Sequence, residues 1–193
     1  MAAEALLFDL DGTIWDSYPC YAAALSLESE LTEHAAIRSL RSGDNVIGLV
    51  RGAGLTPSRF LRLCLGSIGK MRLFPDVIDV LQALERRGTP LGVVTNLPKW
   101  LIEPILFNLG ITRFFSAQAF AARKPNPGSL RNALAAMHRR PHCGVYYIGD
   151  MPADAAAAMA AGVSFAWASY GYGPECPPST KVVLANFAEV LSL

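Results

Sequence analysis

Little of this chain is charged: 17% of its 193 residues are Asp, Glu, Lys or Arg, and the formal net charge is +1. That balance offers no electrostatic footprint for a nucleic acid or an anionic membrane surface, so neither is expected as a partner. No apolar run reaches membrane-spanning length, and the richest stretch, 155–168, is interrupted by Gly162 and Ser164. No basic segment precedes an apolar one at the N-terminus, so the expectation is a cytoplasmic protein without a signal peptide. Cys20, Cys64, Cys143 and Cys176 form no C-x-x-C pair and read as free thiols of a reducing compartment. His34, His138 and His142 lack ligand spacing, which argues against a zinc site. No internal repeat or low-complexity linker is visible.

What is abundant is apolar sequence, 52% of the chain, enough for a sizeable core. Strand-like apolar runs stand at 5–8, 91–95, 114–120, 145–148 and 163–168. Helical patterns fill 77–87, 99–109, 126–138 and 152–161. This alternation predicts an α/β fold, a doubly wound, mainly parallel Rossmann-like sheet with helices on both faces. Gly88, Gly110 and Gly162 fall where helices should end. Residues 16–72 break the alternation and read as a small all-helical insert, with Thr56-Pro57 as an N-cap and first turn. The expected organisation is therefore a core of 1–15 and 73–193 with a helical insert at 16–72. Charge within the insert is lopsided. Asp16, Glu28, Glu30 and Glu33 lie in its first part, and Arg38, Arg41, Arg51, Arg59, Arg62, Lys70 and Arg72 in its second. The basic part is either a substrate-facing surface or a solvated helix face.

Four short motifs stand at predicted strand ends: Asp9-Leu10-Asp11-Gly12-Thr13, Val93-Val94-Thr95-Asn96, Arg123-Lys124-Pro125 and Ile148-Gly149-Asp150, the last followed by Asp154. Open α/β sheets place ligands at the carboxyl ends of their strands. The inventory suits phosphoryl transfer. A carboxylate can attack phosphorus. A hard cation such as Mg²⁺, held by oxygens of Asp9, the Leu10–Asp11 backbone and Asp150, would shield it from the anionic phosphate. Lys124 adds a point charge, and Thr95 and backbone N–H groups near Gly12 add donors. A second acid, for which Asp11 is the candidate, can protonate the leaving oxygen and later deprotonate water.

D-x-D-G-T, a strand-end Thr, a Lys before a helix and G-D-x-x-x-D, in that order, resemble the haloacid dehalogenase-like superfamily. The likeness is greatest to its phosphoglycolate phosphatase / β-phosphoglucomutase-like branch, which carries a helical cap after the first motif. The resemblance implies a Mg²⁺-dependent phosphatase of a small phosphorylated metabolite, working as a monomer or homodimer, with residues 16–72 as the cap. It implies Asp9 as the nucleophile that forms an aspartyl-phosphate and Asp11 as general acid/base. Thr95 and Lys124, with Gly12 and Asn96, would hold the phosphoryl group. Asp9, Asp11 and Asp150 would ligate Mg²⁺, with Asp154 as ligand, as outer-shell partner or merely as helix cap. Two departures stand out: Met151-Pro152 follows Asp150, where the family often has a small hydroxyl residue, and the insert is short. A phosphomutase uses the same acids. A dehalogenase would leave Asp11 and Asp150 unexplained. A phospho-Asp signalling domain places its acids differently, and a catalytically silent binding member would not need every one of these side chains.

Overall fold

The computed structural model describes residues 3–193. The chain divides into two compact units, Met1–Ile14 with Leu73–Leu193, and Trp15–Arg72.

The larger unit is built on strand β1 (Ala5–Phe8), all four of whose residues are buried. Where the chain leaves and re-enters this unit, two short strands pair, β2 (Trp15–Asp16) and β3 (Arg72–Leu73). The rest alternates: helix α5 (Val77–Arg86; α1–α4 belong to the other unit), β4 (Leu91–Val94), α6 (Lys99–Asn108), β5 (Ala117–Ala119), α7 (Gly128–Ala136), β6 (Val145–Gly149), α8 (Pro152–Ala161), β7 (Ser164–Ala168) and β8 (Thr180–Leu184). Six strands form one sheet in the order β5-β4-β1-β6-β7-β8, and every pairing is parallel. The expected α/β architecture is therefore present. Both sides of β1 are paired, Leu6 opposite Leu91 on one side and Tyr146 on the other. Such strands are uniformly apolar because both faces are covered by helices. Leu7, Val94, Tyr147 and Phe165 pack with Leu130, Ala133 and Ala158 on one face. On the other, Phe8 meets Phe187 at 5.8 Å and Phe115 at 6.3 Å between ring centroids. The alanines of α8 let its backbone lie close to the sheet, and Gly162 (φ +82°) closes it in the left-handed conformation that side chains disfavour.

Three expectations need correction. The apolar run 114–120 is a strand only over Ala117–Ala119; Thr112–Phe114 forms a 3₁₀ turn that tucks Phe114 inside. The helix expected from Asn126 starts at Gly128, because the Asn126 side chain accepts from the Gly128 N–H (2.8 Å) in a turn. The edge strand β8 was not expected: it follows a proline-rich stretch, and Lys181 and Val183 are exposed.

The smaller unit is helical: α1 (Tyr18–Ser26), α2 (Glu33–Arg41), α3 (Val46–Gly52) and α4 (Pro57–Gly66). Thr32, Asn45 and Thr56 cap α2, α3 and α4 by accepting backbone N–H groups. Tyr21 and Phe60 stack edge-to-face at 5.4 Å. The lopsided charge resolves into pairs within the unit. Arg41 binds Asp16 at 2.9 Å, Lys70 binds Glu33 at 2.6 Å, and Arg59 binds Glu28. Exposed pairs of this kind add little stability, but they occupy three of the basic side chains with internal partners.

Candidate active site

The sheet order puts β1 between β4 and β6. The residues following these strands, Asp9, Thr95 and Asp150, therefore emerge side by side at the carboxyl edge. Strand order runs outward through β4 and β5 on one side of β1 and through β6, β7 and β8 on the other. That reversal next to β1 is the switch point where such sheets open a crevice. Lys124 arrives on the loop after β5. Asn96 anchors that loop by accepting the Lys124 backbone N–H at 2.7 Å.

Lys124 is the hub. Its side chain is 4% exposed, and Nζ lies 2.7 Å from Asp9 Oδ1, 2.6 Å from Asp154 Oδ1 and 3.0 Å from the Tyr147 hydroxyl. The Tyr147 hydroxyl in turn reaches the Val94 carbonyl at 2.9 Å and Asp154 Oδ1 at 3.2 Å. Asp154 Oδ2 accepts the Met151 N–H at 3.0 Å, capping α8. Asp154 therefore has both oxygens engaged, one on the lysine and one on its own helix.

Asp150 sits in a cradle of glycines. Its Oδ2 accepts the Tyr172 N–H at 2.8 Å, and its carbonyl accepts the Trp167 indole N–H at 2.9 Å. A Cβ on Gly12 would stand 2.3 Å from Asp150 Oδ2, and one on Gly171 would stand 2.4 Å from Asp150 Cβ. Gly12 also has φ +76°, so glycine is required there on both counts. The remaining oxygen, Asp150 Oδ1, is buried with no hydrogen-bond partner among the described residues. An orphaned buried carboxylate oxygen calls for a cation. Asp9, Asp150 and Asp154 offer oxygens that all lie within 4.8 Å of one another, a buried acidic cluster able to hold one.

The electrostatics point the same way. Burial, opposed by Lys124 and reinforced by Asp154 and Asp11, pushes the Asp9 carboxyl up to about 7. Burial, then the charges of Asp9 and Asp154, also raises Asp150 well above the ordinary carboxylate range. Burial works against the Lys124 ammonium, but Asp9 and Asp154 outweigh it and hold its pKa above that of an ordinary lysine. Three acids, Asp9, Asp150 and Asp154, thus crowd together beside one ammonium, an excess of acid that a divalent cation would balance.

Comparison with known proteins agrees with this geometry. Residues 3–162 match the profile of the hydrolase family described as haloacid dehalogenase-like hydrolase. The chain belongs to that family. It is 32% identical to the phosphoglycolate phosphatase of Pseudomonas fluorescens, over 96% of this chain and 78% of that one. It is 31% identical to the phosphoglycolate phosphatase of Pectobacterium atrosepticum, over 100% and 92%. A crystal structure of a predicted phosphoglycolate phosphatase from Haemophilus somnus superposes with a TM-score of 0.78, covering 98% of this chain and 97% of that one at 26% identity. The chain is a phosphatase of the family, a phosphoric monoester hydrolase.

Of the residues singled out in the sequence, Asp9, Lys124 and Asp154 are in direct contact, and Asp150 lies beside them. Asp11 is half-buried two residues beyond Asp9, near enough for its charge to raise the Asp9 pKa. Thr95 is 2% exposed; its hydroxyl accepts the Leu97 N–H at 3.2 Å, which leaves its own O–H to donate. Asn96 is exposed and uses its carbonyl oxygen on the lysine loop. Sequence reasoning missed Tyr147 and the grip of the 167–173 segment on Asp150. The signal for Tyr147 was a tyrosine within an apolar strand, since a buried phenol needs a polar partner.

Proposed function

We propose that the chain hydrolyses the phosphoric monoester of a small metabolite in the cytoplasm, with Mg²⁺ as cofactor and phosphoglycolate as the first substrate to test. The observation that carries this reading is the buried contact joining Asp9 to Lys124, beside an Asp150 oxygen that has no hydrogen-bond partner among the described residues.

Asp9 is the nucleophile. Its carboxylate attacks phosphorus, the bond to the leaving oxygen breaks, and an aspartyl-phosphate forms. Asp9 and Asp150, with Asp11, would hold Mg²⁺, which when bound supplies charge against the phosphate oxygens and keeps Asp9 ionised. Asp11 gives a proton to the leaving oxygen and later takes one from the water that opens the acyl phosphate. Lys124, Thr95 and the backbone at Gly12 hold the phosphoryl group, and Asn96 fixes the lysine loop. The partners of Asp154 favour an anchoring role for it over a place among the metal's nearest ligands. The helical unit serves as the cap that excludes water and selects the leaving group.

The test is a phosphate-release screen with Mg²⁺ over phosphoglycolate, sugar phosphates, nucleotides and pyrophosphate, with Asp9→Asn as control. The expected result is stoichiometric inorganic phosphate from at least one small monoester and none from the variant. Isomerised sugar phosphate in place of free phosphate, or near-normal turnover by Asp9→Asn, would overturn the reading.

A further inference from the structure

An ammonium has three N–H donors and no more. Lys124 has three acceptors around it in the substrate-free protein, Asp9 Oδ1, Asp154 Oδ1 and the Tyr147 hydroxyl. A lysine that is to hold a phosphoryl oxygen must therefore release one of them. The three bonds are unequal. Those to the carboxylates are 2.7 and 2.6 Å long, between opposite charges, and buried. The third is 3.0 Å long and ends on a neutral hydroxyl. Charge-assisted bonds are roughly twice as strong as bonds to neutral groups. Releasing Asp154 would leave a buried carboxylate without its cation, and releasing Asp9 would give up a 2.7 Å bond between opposite charges. Releasing Tyr147 leaves only an unused lone pair on a hydroxyl that still has the Val94 carbonyl for its hydrogen, 2.9 Å away.

We propose that the Tyr147 hydroxyl is a placeholder for a phosphoryl oxygen, filling the third N–H of Lys124 in the free enzyme and giving it up when phosphate binds. Tyr147 is then a positioning residue. It touches neither substrate nor cation, and acts by keeping the lysine satisfied and aimed between turnovers. The inference rests on the preceding reading, in which Lys124 contacts the phosphoryl group.

A placeholder competes with the ligand, and this sets the sign of the test. In Tyr147→Phe the ring still fills its place in the core, but the free enzyme carries a buried N–H with no acceptor. Inorganic phosphate relieves that deficit. The variant should therefore melt lower than wild type without phosphate, yet bind phosphate more tightly, by between about fivefold and a hundredfold, in calorimetric titrations of the Mg²⁺-loaded proteins. A merely structural tyrosine would loosen the site and weaken binding. Adding Lys124→Met should abolish the difference made by Tyr147→Phe. Phosphate affinity that is unchanged or weaker in Tyr147→Phe overturns the proposal. A crystal structure of the wild-type protein with Mg²⁺ and inorganic phosphate gives an independent answer should the variant not fold. The Lys124–Tyr147 separation should open beyond about 3.5 Å with both carboxylate contacts kept, whereas a phosphate oxygen on Lys124 with the 3.0 Å contact retained overturns it. If wild type neither binds phosphate nor releases it from any ester, the functional reading itself fails. If wild type does both and the variant does not bind more tightly, only the placeholder fails.

Discussion

Replacing Lys124 by methionine isolates the electrostatics of the site from its chemistry, because the stem is nearly kept and only the ammonium is lost. The side chains of Lys124, Asp9 and Asp154 are 4%, 10% and 1% exposed, so water cannot take the place of the missing partner. Removing one member of a buried ion pair typically destabilises by about 3–5 kcal/mol, and Lys124→Met should lose that much at pH 8 in metal-free buffer. The loss should depend on pH, with a definite sign. Burial already holds the Asp9 carboxyl up at about 7, with Lys124 the foremost influence pulling it down. Without the lysine it moves higher still. A carboxyl raised in the folded state binds a proton that the unfolded chain has released, so stability falls as pH rises from the ordinary carboxylate range through the raised value. At pH 5 Asp9 is protonated in both proteins, whereas at pH 8 only the variant still holds the proton, so the deficit should be smaller at pH 5 by up to about 1.4 kcal/mol, the worth of the one-unit window between about pH 7 and 8. Urea unfolding followed by circular dichroism at both pH values measures this. Adding Asp154→Asn should recover part of the loss at pH 8, because one of the two stranded charges is gone. A deficit below about 1 kcal/mol at pH 8, or an equal deficit at both pH values, would refute a lysine held chiefly by buried carboxylates.

Three further outcomes follow from the same contacts. EDTA should abolish phosphatase activity and Mg²⁺ restore it. The rise in melting temperature on adding Mg²⁺ should grow between about pH 4 and 7, because cation and proton compete for Asp9 and Asp150; an increment equal at pH 5 and pH 7.5 would contradict the assigned site. Gly171→Ala should weaken Mg²⁺ binding measured by calorimetry, since its Cβ would stand 2.3 Å from the Gly12 carbonyl oxygen and 2.4 Å from Asp150 Cβ and must push the acid aside. Gly52→Ala, with no heavy atom within 4 Å of the added carbon, is the control and should leave binding unchanged.

Much of the fold was legible because parallel strands covered on both faces are uniformly apolar, as 5–8, 91–94 and 145–148 are. The misreadings occur where that rule lapses. Strand β8 alternates exposed and part-buried residues at the sheet edge, and its run Thr180-Lys181-Val182-Val183-Leu184 gives no strong local signal after the prolines. Phe114 and Phe115 look like strand because they are apolar, yet they are buried by a turn. The acids and the lysine were legible for a different reason. Each stands just beyond an apolar run or before a proline, where a polar residue is conspicuous.

The contacts among those residues were not legible, and the pair Tyr146-Tyr147 shows why. Identical neighbours on one strand point to opposite faces. Tyr146 is half-buried beneath Lys181, whose ammonium lies 5.8 Å from its ring. Tyr147 is fully buried with its hydroxyl on Lys124. Nothing local distinguishes them; only the packing of β6 between β1 and β7, with α8 above, does. Asp154 makes the point from the other side. Its sequence position allows a helix cap or a metal ligand, both local readings of an acid in a first helical turn. The third role, holding Lys124 at 2.6 Å, depends on a loop thirty residues earlier. An acid that caps its own helix with one oxygen and fixes Lys124 with the other ties the rigidity of α8 to the aim of the ammonium. Asn at position 154 could keep the cap but would lose the charge beside Lys124, so Asp154→Asn should lower phosphate release and, by removing one partner of a buried pair, also lower the urea midpoint.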